Sequence, residues 1–198
     1  MARIIGITGG IASGKSTVTE FLRRQGYQVI DADQVVHELQ ESGGRLYQAL
    51  LSAFGPAILQ EDGRLNRPKL GAMIFGNPEL LAQSSQIQNQ IIREELAGRR
   101  DLLAEKEDIF FMDLPLLFEL GYESWFDQIW LVDVTEETQL SRLMNRNALN
   151  QEEAEKRIAA QLSLQEKRKR ADVLIENNGG LEETRQQLLD ALQKLERR

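Results

Sequence analysis

The chain has 198 residues, no cysteine, 24 Lys and Arg against 31 Asp and Glu, and a formal net charge of −7. That length suits one domain, alone or with inserted subdomains. The missing cysteine excludes a disulfide framework or a thiolate metal site, and the acidity argues against a general nucleic-acid binder. No apolar run approaches membrane-spanning length, so no membrane partner is expected. The N-terminus runs straight into an apolar segment, so no signal peptide is expected and the cytoplasm is the expected location.

Arg3-Ile4-Ile5-Gly6-Ile7 is a short β-branched run that reads as a strand. Gly9-Gly10-Ile11-Ala12-Ser13-Gly14-Lys15-Ser16 follows and fits G-x-x-x-x-G-K-[ST]. Glycines let such a loop curl with its N–H groups inward, as a nest for phosphate oxygens. The helix that starts within the loop adds the positive end of its dipole. On this motif Lys15 reaches the β- and γ-phosphates, and the Ser16 hydroxyl ligates the accompanying magnesium. Val18, Phe21 and Leu22 then recur at helical spacing, and Gly26 closes the helix. Strand, glycine loop and helix together predict a nucleoside triphosphate as ligand.

Further apolar runs at Tyr27–Ile30, Ile109–Met112, Ile129–Val132 and Val173–Ile175 read as strands. Most are continuous rather than alternating, which suits a parallel sheet covered on both faces. Helical patterns separate them, so the class is α/β: a three-layer α/β/α fold with a five-stranded parallel sheet. The core is expected over about 1–34, 108–134 and 171–198. From about 35 to 107, several helices punctuated by Gly43-Gly44, Gly55-Pro56, Arg67-Pro68 and Asn77-Pro78 predict a helical insertion for a second substrate. Residues 135–170 carry Arg142, Arg146 and Arg157 and break at Asn145–Asn150; this reads as a helical lid. Ala154, Ile158 and Leu162 predict one apolar stripe there, and Leu181, Leu188, Leu192 and Leu195 predict another on the last helix. Lys167–Arg170 reads as a solvated helix end.

Phosphoryl transfer needs positioning and charge more than covalent chemistry. Asp31-Ala32-Asp33 sits where the second strand ends, the edge that lines the ligand crevice in open parallel sheets. In extended chain the two carboxylates point the same way; one would take a proton from an attacking hydroxyl and another hold water on magnesium. Asp33 is favoured as the base, and it also suits an N-cap for a helix starting near Gln34. His37, the only histidine, is four residues on and would share that helix face and contact the acceptor. Asp113 ends an apolar strand, as a carboxylate that orients magnesium, directly or through water, would. Leu114 to Glu119 follows as an apolar wall for a substrate. Arg142 and Arg146, one helical turn apart, would neutralise charge on the transferred phosphoryl group.

Taken together, these segments resemble the dephospho-coenzyme A kinases of the P-loop kinase superfamily. The likeness rests on Ile7–Thr17, on Asp31-Ala32-Asp33 with His37, and on Pro115-Leu116-Leu117-Phe118-Glu119. It extends through a lid from Gln139 to Gln161 that includes Arg157-Ile158-Ala159-Ala160-Gln161, and through Ala171–Gly179. The resemblance implies ATP as donor, with Mg2+, and the ribose 3′-hydroxyl of dephospho-coenzyme A as acceptor. It further implies a triphosphate held by Gly10 and Ala12 to Thr17 (Ala12, Ser13, Gly14, Lys15, Ser16 and Thr17). Arg142 and Arg146 would contact ATP, with Asn177 and Gly179 near the adenine. Asp33, His37, Leu116 and Glu119 would serve the acceptor, and Lys15, Asp33 and Arg142 the chemistry. A monomer or weak homo-oligomer is expected. The family often has an acidic residue after the lid arginine; here it is Asn147, so no ion pair is expected at that point. The rival readings are a kinase of the same fold acting on a nucleoside or nucleotide, and a nucleotide-dependent switch. The second lacks an Asn-Lys-x-Asp guanine reader.

Overall fold

The structure, a computed structural model, describes residues 2–197. Among them are five strands: β1 (Arg3–Gly9), β2 (Val29–Asp31), β3 (Ile109–Asp113), β4 (Gln128–Asp133) and β5 (Val173–Glu176). They form one sheet in the order β2-β3-β1-β4-β5. β1 is central and parallel to both neighbours, with Ile7 opposite Asp113 on one side and opposite Trp130 on the other. Val132 of β4 pairs with Ile175 of β5, again in parallel. The continuous apolar runs explain the burial: the last five residues of β1 and of β4, and the last four of β3, are buried. Strands covered on both faces have no polar side to alternate.

Nine α-helices accompany the sheet among the described residues. They are α1 (Lys15–Arg24), α2 (Ala32–Leu39), α3 (Arg45–Phe54), α4 (Arg67–Phe75), α5 (Pro78–Ala104), α6 (Glu136–Asn147), α7 (Gln151–Ala159), α8 (Leu164–Arg170) and α9 (Leu181–Glu196). The chain divides into two compact units, Asp31–Leu102 and the remainder. In the sheet unit, α1 and α9 contribute Val18, Leu22, Leu188 and Leu192 to a core built on Phe111 and Trp130. Those two rings meet edge to face at 5.3 Å. In the helical unit, Arg99 of α5 pairs with Glu38 of α2 at 2.7 Å and with Glu95 at 2.8 Å.

Several expectations shift on inspection. The second strand begins at Val29, not Tyr27; the Tyr27 ring stands edge-on to Phe111 and its hydroxyl donates to Glu196. Tyr27 is thus apolar for packing rather than pairing. The stripe of α7 includes buried Ala154 and half-buried Ile158, but the helix ends at Ala159 and Leu162 lies past it. On α9 Leu181 is 48 % exposed while Thr184 is buried in its place, because Thr184 bonds the turn after β5.

The largest correction concerns Lys167–Arg170, where Lys169 and Arg170 are exposed as a solvated end would be but Lys167 is not. Lys167 is fully buried. Its ammonium donates to Pro115 O at 3.1 Å and pairs with Glu119 at 2.9 Å. The same Glu119 carboxylate accepts from Leu162 N, and Pro115 O also accepts from Thr8. Arg168 donates to Asp133 at 2.6 Å, which holds the guanidinium above its ordinary range. Arg170 lies over the Phe118 ring at 4.6 Å and pairs with Glu123. One basic helix therefore ties the loop after β3 to the segment joining α7 and α8. Removing one member of a buried pair strands the other charge. Lys167→Met should lower unfolding free energy by about 3 kcal/mol in a denaturant titration. Glu119→Gln, which keeps an acceptor for Leu162 N, should cost less.

Candidate functional site: the phosphate loop and its supports

The loop after β1 turns on two residues with positive φ, Ala12 at 62° and Gly14 at 88°. A left-handed alanine costs roughly 1–2 kcal/mol, so its surroundings must hold it. Two side-chain amides bond the loop's outward carbonyls. Gln139 of α6, buried, donates to Ile11 O at 3.0 Å, and Asn177, just past β5, donates to Ser13 O at 2.8 Å. A third side chain takes the neighbouring N–H: Ile11 N donates to Gln161 Oε1 at 2.9 Å. Asn177 is itself fixed by Thr184, whose hydroxyl donates to its Oδ1 at 3.0 Å. The glycines are needed here for space as well as for φ. A Cβ on Gly10 would collide with the Gln139 amide, and one on Gly14 with that of Asn177.

α1 opens on Gly14, which brings no side-chain cap to the first-turn N–H groups. The start of a helix with uncapped amides and a positive dipole end favours an anion. Lys15 follows, 15 % exposed, its ammonium 4.0 Å from the Asp113 carboxylate at the end of β3. Ser16 is exposed in the first turn and Thr17 half-buried beside it. Ser13 has a buried hydroxyl that points along the loop toward Gly9. Arg142 of α6 is half-buried, its guanidinium 3.8 Å from where a Gly14 Cβ would stand. Lys15, Asp113, Arg142 and the backbone nest therefore come together in the sheet unit.

The other expected residues fall in different settings. Arg146 is exposed, and its Nε donates to Asn147 Oδ1 at 3.0 Å. Asn147 thus supplies a neutral acceptor where an ion pair was not expected. Asn177 is occupied by the loop and Thr184, and Gly179 is exposed on the turn beyond it. Leu116 is 38 % exposed, and Glu119 is engaged by Lys167 and Leu162 N.

In the helical unit, Asp31 and not Asp33 is the cap of α2. Its Oδ1 accepts from Gln34 N at 3.1 Å, and the helix starts at Ala32, two residues before expectation. With the chain no longer extended, the two carboxylates do not share a direction. Asp33 is exposed in the first turn and one helical turn from His37, which is also exposed. Gln139 and Gln161 are the site residues that sequence reasoning did not single out for a role. Their signal was faint, since both merely bound the lid segment, and only the tertiary fold brings them to one peptide.

A parallel sheet ending in this loop, helix start, lysine and carboxylate defines a P-loop phosphotransferase. A family model described as dephospho-CoA kinase matches residues 3–183. A protein of Streptococcus mutans named dephospho-CoA kinase is 60 % identical over 196 residues, 99 % of each chain. The chain also superposes on the crystal structure of TT1252 from Thermus thermophilus, with TM-score 0.84 and 36 % identity over 98 % of this chain and 97 % of that one. Against the dephospho-CoA kinase from Campylobacter jejuni the TM-score is 0.76, at 28 % identity over 98 % of both. This chain belongs to the dephospho-CoA kinase family.

Gln161→Ala leaves the Ile11 N–H without its side-chain partner, a loss worth about 1 kcal/mol. Calorimetry should show ATP affinity falling roughly five-fold, as that energy implies. The melting temperature should stay within a few degrees of the parent.

Proposed function

We propose that the chain carries out its family's reaction with two sets of residues, a donor set around the phosphate loop and an acceptor set headed by Asp33 of α2. The reaction transfers the γ-phosphoryl group of ATP to the ribose 3′-hydroxyl of dephospho-coenzyme A, giving ADP and coenzyme A. The loop residues Gly10 and Ala12 to Thr17 hold the triphosphate, and Lys15 lies against its β- and γ-oxygens. Arg142 adds positive charge at the same end, as the transition state requires when charge spreads over the transferred group. Arg146 contacts ATP from farther along the lid helix, with Asn177 and Gly179 on the adenine side.

Asp33 is the base. The acceptor oxygen forms its bond to the γ-phosphorus as the bond to the β–γ bridging oxygen breaks, and the hydroxyl proton passes to the Asp33 carboxylate. The observation that carries this assignment is the division of labour between the two aspartates. Asp31 is spent on the helix cap, whereas Asp33 is exposed beside it on the first turn. His37, Leu116 and Glu119 belong to the acceptor side.

Ser16 and Asp113 fit a magnesium ion. A hydroxyl and a carboxylate are the hard oxygen donors it takes, and Asp113 is buried beside Lys15. Among the described residues no three His, Cys, Asp or Glu side chains gather to hold a metal. The remaining ligands would come from phosphate and water, as usual for this ion. Bound there, it would neutralise charge on the β- and γ-oxygens. No helix is long and apolar enough to cross a membrane among the described residues. With no cysteine in the sequence, a cytoplasmic enzyme acting as a monomer or weak homo-oligomer is the reading we favour.

Asp33→Asn should reduce kcat about 10²-fold or more while keeping the parent's melting curve. Asp31→Ala should instead lower stability by about 1 kcal/mol, with the smaller effect on turnover. If Asp31→Ala abolishes turnover in a folded protein while Asp33→Asn does not, the roles are reversed. Lys15→Ala should cost roughly 10²-fold in rate, and near-normal turnover would contradict its role.

A further inference from the structure

The helical unit contains a cavity of about 520 Å³, within the size range of small-ligand sites. His37, Gln40 and Glu41 line it from the end of α2, and Arg64, Leu65 and Arg67 from the approach to α4. Arg67 is the hub. Its Nε donates to Gln40 Oε1 at 2.7 Å, and its Nη2 meets His37 Nδ1 at 2.7 Å. A guanidinium can only donate, so His37 Nδ1 is the acceptor of this bond. Arg64 is braced by Asp62, with 2.6 Å between them. The cavity therefore sets two guanidinium groups and an imidazole against the single carboxylate of Glu41. Forked guanidinium donors match multi-oxygen anions, phosphates above all.

Its position narrows the ligand. His37 stands one turn of α2 after Asp33, a rise of about 6 Å along the helix. That is comparable with the span across a ribose from its 3′-oxygen to its 5′-phosphate. We infer that this cavity binds the 5′-diphosphate of the acceptor, with Arg67 as the main contact and Arg64 as the second. The inference rests on the reading that Asp33 meets the 3′-hydroxyl. The volume beyond a diphosphate would take the start of the chain attached to it. Glu41, on the cavity wall, would disfavour an anion pushed past the arginines.

The test compares two ligands that share the ribose and its 3′-hydroxyl, dephospho-coenzyme A and adenosine, of which only the first carries the diphosphate and the chain attached to it. ADP, which has the diphosphate without that chain, is measured beside them and should weaken as dephospho-coenzyme A does. Their dissociation constants are measured by calorimetry with a non-hydrolysable ATP analogue saturating the donor site. In Arg67→Ala the dissociation constant for dephospho-coenzyme A should rise at least ten-fold, and that for adenosine should stay within two-fold. Arg67→Lys, which keeps the charge and loses the fork, should fall between. Equal weakening of both ligands would make Arg67 structural and overturn the inference, as would no change in either. Asp33→Asn tests the underlying reading separately. It should leave both dissociation constants near the parent's while kcat falls, and retained kcat would sink the base assignment without touching the Arg67 result.

Discussion

The fold depends at its centre on keeping one peptide segment turned inside out. A phosphate nest needs successive N–H groups facing inward, which leaves the carbonyls facing the protein. Buried carbonyls without partners are costly. Here Gln139 and Asn177 provide those partners from α6 and from the end of β5. The same contacts explain why Gly10 and Gly14 admit no side chain and why Ala12 tolerates a left-handed φ. The loop is thus specified as much by amides distant in sequence as by its own glycines.

That arrangement also couples α6 and the end of α7 to the phosphate loop. Gln139 lies on α6, which carries Arg142 one turn later, and Gln161 lies just past α7. A shift of either helix would change the hydrogen bonds of Ile11 on both sides of one residue. The pair between buried Lys167 and Glu119 anchors the far end of the same segment, because Glu119 also accepts from Leu162 N. The anchored Leu162 therefore follows directly on the clamping Gln161. The end of α6, with Arg146 and Asn147 exposed, is where motion would cost least.

What the sequence made legible follows from range of interaction. The strands, the phosphate loop and α1 were readable because their signals are local: β-branched runs, glycines at fixed offsets, apolar spacing. The two-residue error at α2 arose because Asp31 and Asp33 are both good caps, and only the backbone decides between them. Lys167 could not be read as buried, since its partners Glu119 and Pro115 lie about fifty residues earlier and a basic run ordinarily faces water. Leu181 failed similarly. Helical spacing gives the face but not how far the core extends along it, and at that turn Thr184 answers a polar neighbour. The roles of Gln139 and Gln161 were the least legible, because glutamine carries no periodicity or charge to draw notice.

Net charge was a weaker guide than it first seems. A chain of −7 has to bind a triphosphate and, on our reading, a diphosphate as well. Exposed charges separated by more than about 8 Å are largely screened at physiological ionic strength. The acidic surface therefore matters less to a docked anion than the few cations within reach. Lys15 and Arg142 stand beside backbone N–H groups that add fixed partial charge without adding to the formal count. Arg64 and Arg67 do the same work in the helical unit, each held in place by a neutral or acidic neighbour rather than left free in solvent. Overall acidity argues against a general nucleic-acid binder because such a partner needs a broad basic surface. It could not exclude two compact anion sites, which need only local donors held rigidly.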